Sequence, residues 1–164
     1  YLRYAMVSGS FSWNDAKVDA ESKGGHLATI VSAVEWEAAY EAAGPSFPQG
    51  VFVYDFWIGG LRPSGDAAKP WEWITGEAWP YNRWLPNEPD AGTGQHEGHL
   101  YVESGGVDKS FLWKRGFPFN TSNRYLLEYG YPTDPAKADT DGDGFNDGVE
   151  FKARTNSLDS GSHP

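Results

Sequence analysis

Hydrophobic and polar positions divide the chain into helix-favouring segments up to about residue 44 and short apolar stretches after it. Each early segment follows a capping box: residues 12–15 are Ser-Trp-Asn-Asp, and residues 32–35 are Ser-Ala-Val-Glu. In this motif the serine caps the helix, and the acidic side chain reaches back to the cap. Glycine follows each segment and ends the helix. We therefore predict a first helix that ends at Gly24, a short strand at 26–31, and a second helix that ends at Gly44.

After Pro48 the apolar stretches are interrupted by glycine and proline, which is typical of strands. The predicted strands are 51–61, 71–74, 100–103, 110–113 and 124–129. Residues 77–98 show little periodicity, and a loop this long inside a compact domain usually has a function. The pattern therefore predicts an α+β fold with one long loop.

Composition limits the classes of partner. The 164 residues carry a formal net charge of −10. Nucleic acids and anionic membranes are bound by clustered Lys and Arg, so we expect neither as a partner. No segment is long and apolar enough to insert into a bilayer. The chain contains no cysteine, which excludes disulfides, thiolate nucleophiles and cysteine-based zinc sites.

Residues 139–150 have the spacing of a calcium-binding loop, Asp-Thr-Asp-Gly-Asp-Gly-Phe-Asn-Asp-Gly-Val-Glu. Loop positions 1, 3, 5, 9 and 12 offer carboxylates. Position 6 is the glycine of the sharp turn, and position 7 offers its backbone carbonyl. Ca²⁺ prefers about six to eight oxygen ligands, and carboxylates this close repel one another unless an ion lies among them. The alternative is a flexible acidic tail. The predicted ligands are Asp139, Asp141, Asp143, Phe145, Asp147 and Glu150.

A domain boundary is predicted near Gly130, with one domain at 1–130 and a calcium-binding tail at 131–164. The chain begins at Tyr1 without a methionine, so we expect it to be part of a larger multidomain protein. Calcium loops outside the EF-hand sensors often need the high calcium found outside cells. We therefore expect a secreted or cell-surface protein.

Several segments, in order, resemble the C-type lectin-like fold. Residues 57–61, Trp-Ile-Gly-Gly-Leu, resemble a characteristic strand of that family with one extra glycine. Residues 84–90, Trp-Leu-Pro-Asn-Glu-Pro-Asp, resemble its long loop with the Glu-Pro-Asn sugar motif, and residues 125–128 resemble its last strand. The resemblance covers residues 1–129 and implies two helices, small antiparallel sheets and a long loop region. The tail resembles the calcium repeats of thrombospondin type 3 modules.

The resemblance implies calcium-dependent binding of sugars without catalysis. A calcium ion held by loop carboxylates keeps open positions that two neighbouring sugar hydroxyls fill. Matched to the motif, Glu88, Asp90 and Glu97 are implied as ligands. Asp90 stands where the motif has Asn, so the resemblance leaves the choice of sugar open.

One departure from the family pattern concerns the remaining ligands. Relatives supply them from a Trp-Asn-Asp strand, but here Lys114 and Arg115 follow the tryptophan. Cations do not ligate Ca²⁺ and repel it at close range. Either Asp108 or Asn120 completes the site in a different alignment, or this loop site binds no calcium.

The long loop also carries Trp79, Tyr81 and Trp84. These aromatic residues either pack the loop against the domain or form a platform on which a sugar ring stacks. By alternation and family position, Trp57, Trp71, Trp73 and Trp113 are predicted to be core residues.

No catalytic motif is present in the sequence. Residues 96–99, His-Glu-Gly-His, lack the i, i+4 histidine spacing that zinc hydrolases need on a helix. No nucleophile elbow or phosphate loop occurs either. Two functions follow: a secreted, calcium-dependent carbohydrate-binding module, or an extracellular protein-interaction, adhesion or structural module in which calcium only stabilises the tail.

Overall fold

The structure, a computed structural model, describes residues 4–43, 55–63, 69–89, 98–105, 110–117, 119–129, 139, 142–145 and 160–161. These residues form two helices and seven strands. The helices are α1, Trp13–Ser22, and α2, Ala33–Ala43. The strands are β1, Tyr4–Phe11; β2, Gly25–Leu27; β3, Phe56–Arg62; β4, Glu72–Trp73; β5, Gly98–Gly105; β6, Ser110–Gly116; and β7, Ser122–Tyr129.

Both predicted helices are confirmed, and both begin at their serine caps. The hydroxyl of Ser12 accepts a hydrogen bond from the backbone N–H of Asp15 at 3.1 Å, and the carboxylate of Asp15 accepts one from the N–H of Ser12 at 3.3 Å. At α2 the carboxylate of Glu35 reaches one residue further and accepts from the N–H of Val31 at 2.8 Å. Local hydrogen bonds therefore set the start of each helix.

The described strands form one mixed sheet, which corrects the expectation of small antiparallel sheets. Strands β1, β7, β3, β5 and β6 lie side by side in that order, β2 adds to β7, and β4 adds to β3. Strand β7, the last of the described strands, lies between β1 and β3. It pairs antiparallel with β1 and parallel with β3, where Trp57 lies opposite Tyr125.

Two details of the strands differ from the prediction. Strand β1 was not predicted, because most of its residues are half-buried or exposed and show no alternation. The strand predicted at 26–31 ends as a regular strand at Leu27. Beyond it, the N–H of Ala28 donates to the Leu126 carbonyl at 2.9 Å, and the Ala28 carbonyl accepts from Gly59 at 2.8 Å. Residues 51–54 of another predicted strand lie outside the described residues.

Alternate residues of the central strands face two hydrophobic cores, one on each side of the sheet. On β3, Trp57 contributes to the core under α1, and Ile58 contributes to the core under α2. Trp57, Trp73 and Trp113 are buried, as predicted, whereas Trp71 is only half-buried. Neither of the two described helices is long and apolar enough to cross a bilayer.

Asp19 of α1 is expected to give stability a dependence on pH. Asp19 accepts a 2.6 Å hydrogen bond from the hydroxyl of Tyr125 and pairs with Lys23 at 2.6 Å. Lys23 first, and Tyr125 second, lower the pKa of Asp19 below its ordinary value of 3.8. The stabilisation is therefore present above the unfolded-state pKa and is lost as the pH falls through the folded-state pKa. Urea unfolding curves should show this loss, and Asp19→Asn should reduce it.

Asp55 is expected to give stability a pH dependence of the opposite sign, so Asp55→Asn serves as the comparison. Burial raises the pKa of Asp55, whose carboxylate accepts a hydrogen bond from the hydroxyl of Tyr101. A raised pKa means that the contribution of Asp55 to stability is present below the unfolded-state pKa and is lost as the pH rises. If Asp19→Asn leaves the acid side of the stability curve unchanged, the carboxylate of Asp19 does not cause the effect.

Candidate functional site

The start of the long loop is held by hydrogen bonds to the centre of the sheet. Glu128 of β7 is buried, and its carboxylate accepts from the backbone N–H of Thr29 at 2.9 Å. The hydroxyl of Thr29 donates to the carboxylate of Glu77 at 2.7 Å, and the hydroxyl of Thr75 donates to the same oxygen at 2.8 Å. Glu77, the first residue of the predicted loop, is therefore fixed to the core of the domain.

The middle of the loop pairs with β6 through its main chain. The N–H of Trp113 donates to the Arg83 carbonyl at 2.7 Å, and the N–H of Leu85 donates to the Trp113 carbonyl at 2.9 Å. Between them Trp84 and Trp113 form an isolated parallel bridge. The side chain of Arg83 adds a 3.3 Å hydrogen bond to the Phe111 carbonyl. These bonds define where this part of the loop lies on the sheet.

Aromatic side chains of the loop and the sheet form a cluster around Trp113, which is fully buried. The rings of Trp73, Trp79, Tyr81 and Trp84 each meet it edge-on, at centroid distances of 5.6 to 5.9 Å. Edge-to-face contacts of this kind are favourable because the positive edge of one ring meets the negative face of another. The cluster therefore joins the loop to the core.

The outer members of this cluster keep part of their surface in solvent. Trp79, Tyr81 and Trp84 pack against the core and are half-buried. Trp79 stacks on Trp73 at 4.1 Å and is nearly parallel to Trp84 at 6.2 Å. Trp71 is also half-buried and lies 5.1 Å from Trp84. We call Trp71, Trp79, Tyr81 and Trp84 the aromatic patch.

Glu88 lies at the junction of the loop and β6. Its carboxylate accepts a hydrogen bond from the backbone N–H of Arg115 at 3.3 Å, and its own N–H donates to the Leu85 carbonyl at 2.9 Å. The Glu88–Pro89 peptide bond is cis, and the preceding residue, Asn87, has a φ of 69°. The half-buried Glu88 is thus held in place by hydrogen bonds. It lies on the same loop as Trp84 of the aromatic patch, four residues further along the chain.

The two cations that follow Trp113 have different surroundings. Lys114 pairs with Glu103 of β5 at 3.1 Å, and both side chains are partly exposed. Arg115 is 4% exposed, and its guanidinium lies 4.7 Å from the centre of the Phe117 ring. Neither side chain carries an oxygen, so these positions supply no side-chain ligand to a calcium ion beside Glu88.

The other residues implied for the loop site are engaged elsewhere or not described. Asn120 lies in the turn between β6 and β7, where its side-chain oxygen accepts from the N–H of Phe117 at 2.7 Å. Asp90, Glu97 and Asp108 lie outside the described residues. Within the part of the chain that is described, no group of three or more His, Asp or Glu side chains is placed to hold a metal ion. The described residues therefore do not assemble a calcium site beside Glu88.

The structure describes part of the predicted calcium loop in the tail. The carboxylate of Asp139 accepts hydrogen bonds from the N–H groups of Gly142 at 2.7 Å and Gly144 at 2.9 Å. The carboxylate of Asp143 accepts from the N–H of Phe145 at 2.8 Å. The φ angles of Gly142 and Gly144, 79° and 97°, suit glycine and fit a sharp turn at loop position six. The ligands outside the described residues are Asp141, Asp147 and Glu150.

Solved structures resemble this chain, whereas no protein-family model and no curated protein matches it. CEL-IV is 18% identical with a TM-score of 0.64 and matches over 82% of this chain and 90% of its own. The C-type carbohydrate-recognition domain of cow CD23, solved in the presence of a GlcNAc2Man3 oligosaccharide, is 20% identical with a TM-score of 0.55, over 75% and 82%. SPL-1, solved in complex with GlcNAc, is 25% identical with a TM-score of 0.55, over 76% and 85%.

Together with the two helices and the mixed sheet, these structures define the fold as C-type lectin-like. The predicted fold class is confirmed to that extent. The domain boundary near Gly130 and the thrombospondin-like calcium tail at 131–164 stay predictions.

Proposed function

We propose that this chain is an extracellular, non-catalytic carbohydrate-binding module whose long loop contacts the sugar. The observation that carries the proposal is the partly exposed aromatic patch, most of which lies on a loop that is hydrogen-bonded to β6 and also carries Glu88. A tryptophan ring offers a flat apolar face to a sugar ring, and a carboxylate accepts hydrogen bonds from its hydroxyls. The sugars in the structures of SPL-1 and cow CD23, which share the fold, support this class of ligand.

In this proposal the calcium ion belongs to the tail, where it neutralises clustered carboxylates and stiffens the chain. The turn around Asp139 supports the assignment, because its glycines adopt the conformation that such a loop requires. The proposed ligands are Asp139, Asp141, Asp143, Asp147 and Glu150, with the backbone carbonyl of Phe145.

In the long loop we propose that Glu88 contacts the sugar directly, because Lys114 and Arg115 supply no side-chain oxygen to an ion there. Asp90 and Glu97 are proposed as further acceptors for sugar hydroxyls on the same loop. Calcium removal should therefore weaken the tail and leave sugar binding by the folded domain intact.

A second candidate function is a protein-interaction or adhesion module in which calcium only stabilises the tail. The observation that favours it is again the pair Lys114 and Arg115, which stands where the resemblance implies two calcium ligands. In that case the long loop contacts an extracellular protein, no sugar binds, and partner binding survives Glu88→Ala.

A glycan array probed with the wild-type chain and with Trp84→Ala tests the proposed function. We expect the wild type to bind a subset of glycans and Trp84→Ala to bind them at least about tenfold more weakly. A tenfold loss corresponds to about 1.4 kcal/mol, a modest effect for an aromatic residue at the centre of a binding surface.

Val34→Ala serves as the control, because it removes an exposed apolar side chain from α2 and should leave binding unchanged. Circular dichroism of each variant establishes that it is folded. If the wild type binds no glycan, or if folded Trp84→Ala binds like the wild type, the aromatic patch is not a sugar site and the second candidate replaces the first.

A further inference from the structure

Arg83 of the long loop contacts three parts of the domain at once. Its guanidinium lies over the ring of Trp36 of α2, 4.9 Å from the ring centre. The Nε atom donates a hydrogen bond to the Phe111 carbonyl of β6 at 3.3 Å, and the Nη1 atom donates to the hydroxyl of Tyr81 at 3.4 Å. Arg83 therefore connects Tyr81 of the aromatic patch to both a helix and the sheet.

The shape of the arginine side chain makes these contacts compatible. A guanidinium is planar and always charged, so its face packs on an aromatic ring while the N–H groups at its edge donate in fixed directions. The main chain of Arg83 is held as well, because its carbonyl accepts from the N–H of Trp113 at 2.7 Å. With its main chain and its side chain both held, Arg83 sets the position of the Tyr81 hydroxyl relative to β6.

The contact with Arg83 also decides which role the Tyr81 hydroxyl can play. A phenol has one proton to donate and two lone pairs that accept, whereas a guanidinium only donates. The oxygen of Tyr81 is therefore the acceptor in this contact, and its proton is left for another acceptor. The ring of Tyr81 meets Trp113 edge-on at 5.9 Å, and the side chain is half-buried. Tyr81 thus adds a hydrogen-bond donor to the aromatic patch.

Glu88, on the same loop, has the opposite hydrogen-bonding character, because an ionised carboxylate only accepts. Trp84 lies between Tyr81 and Glu88 in the chain and keeps part of its ring in solvent. The loop therefore carries a donor, an aromatic face and an acceptor. These are the three kinds of group that engage a neutral sugar, whose hydroxyls both donate and accept and whose C–H groups form an apolar face.

We propose that Tyr81 donates its hydroxyl proton to an oxygen of the bound sugar, and that Arg83 is a positioning residue that acts on the sugar only through Tyr81. The inference rests on the proposed function, because it concerns the sugar at the aromatic patch. It adds a polar selection to that site. Aromatic rings stack on any sugar with an apolar face, whereas a donor at a fixed place discriminates against a sugar that has no acceptor there.

A double-mutant cycle on the glycan array measures the coupling of the two residues. We expect Tyr81→Phe, which keeps the ring, and Arg83→Gln each to weaken binding to the same immobilised glycans by about threefold to tenfold, as for the loss of one hydrogen bond. The double variant should bind no more weakly than the weaker single variant, because both changes remove one interaction. If Arg83 only attached the loop to the domain, Arg83→Gln would weaken binding equally with and without the Tyr81 hydroxyl.

Tyr40→Phe is the matched control for the loss of a hydroxyl. Tyr40 is another half-buried tyrosine that packs against the core under α2, but it belongs to α2 and not to the aromatic patch. Tyr40→Phe should bind the glycans like the wild type. Urea unfolding of every variant establishes that it is folded under the conditions of the array.

The outcomes separate this inference from the proposed function. If Tyr81→Phe binds like the wild type while Trp84→Ala loses binding, the inference is wrong and the proposed function stands. Losses that add up in the double variant would show that Arg83 does not act through Tyr81 and would overturn its positioning role. A wild type that binds no glycan overturns both.

Discussion

Replacing Trp113 with alanine is expected to lower the free energy of unfolding by about 3 to 5 kcal/mol, the usual cost of removing a large aromatic side chain from a core. The side chain is fully buried, and four other rings meet it edge-on. Three of those rings belong to residues of the loop and one to a residue of the sheet. Because the loop and the sheet are both held by backbone hydrogen bonds, the rings cannot close the cavity without displacing backbone. Equilibrium unfolding in urea, followed by circular dichroism, measures the loss.

Trp84→Ala is the matched control for this prediction, because it removes the same side chain from a half-buried position in the same cluster. It should cost clearly less than Trp113→Ala, since part of that ring is already in water. Trp113→Phe, which keeps an aromatic ring, should fall between the wild type and Trp113→Ala. If Trp113→Ala is no more destabilising than Trp84→Ala, the cluster is not centred on Trp113.

Each chain is expected to bind one calcium ion, and this ion should stabilise the folded tail. At free calcium one hundred times the Kd, binding to the folded form alone contributes about 2.7 kcal/mol. Asp139→Ala should abolish this binding, because it removes both a proposed ligand and the acceptor for the N–H groups of Gly142 and Gly144. Isothermal titration calorimetry gives the stoichiometry, and limited proteolysis with and without chelator reports the order of the tail.

Glu37→Ala is the control for the change of charge, since Glu37 is exposed on α2 and lies far from the tail in sequence. It should bind calcium like the wild type. The absence of calcium binding in the wild type would refute the tail assignment. A stoichiometry of two, with glycan binding abolished by chelator in a chain that remains folded, would show that an ion occupies the long loop beside Glu88.

The two helices were predictable because their signals are local. The Ser12 and Asp15 pair satisfies backbone N–H groups within one turn, so four residues of sequence are enough to place the start of α1. The turn at Gly76 has an equally local signal, because its φ of 77° is one that glycine adopts without strain.

The sheet was less predictable, because its pairing depends on residues far apart in the chain. Strand β1 has no clear alternation, and what defines it is its register with β7, with Tyr4 opposite Glu128. The parallel contact of β3 with β7 likewise follows from the order in which strands add to the sheet. Local hydrophobic pattern carries no information about either partner.

The candidate site was partly predictable. The resemblance to the C-type lectin-like fold implied Glu88, and the sequence placed three aromatic residues on the loop, but alternation and family position grouped Trp71 with the core tryptophans. Trp71 lies just before β4, so the alternation that buries Trp73 does not apply to it.

The most direct test of the central claim, that the aromatic patch binds sugar, is the NMR spectrum of the eight tryptophan indole groups during titration with a glycan identified on the array. We predict shifts for Trp71, Trp79 and Trp84. The signal of Trp13, which belongs to the core under α1 and whose indole donates a 2.8 Å hydrogen bond to the Ile58 carbonyl, should stay in place. Saturable glycan binding that leaves the signals of Trp71, Trp79 and Trp84 unchanged would contradict the account.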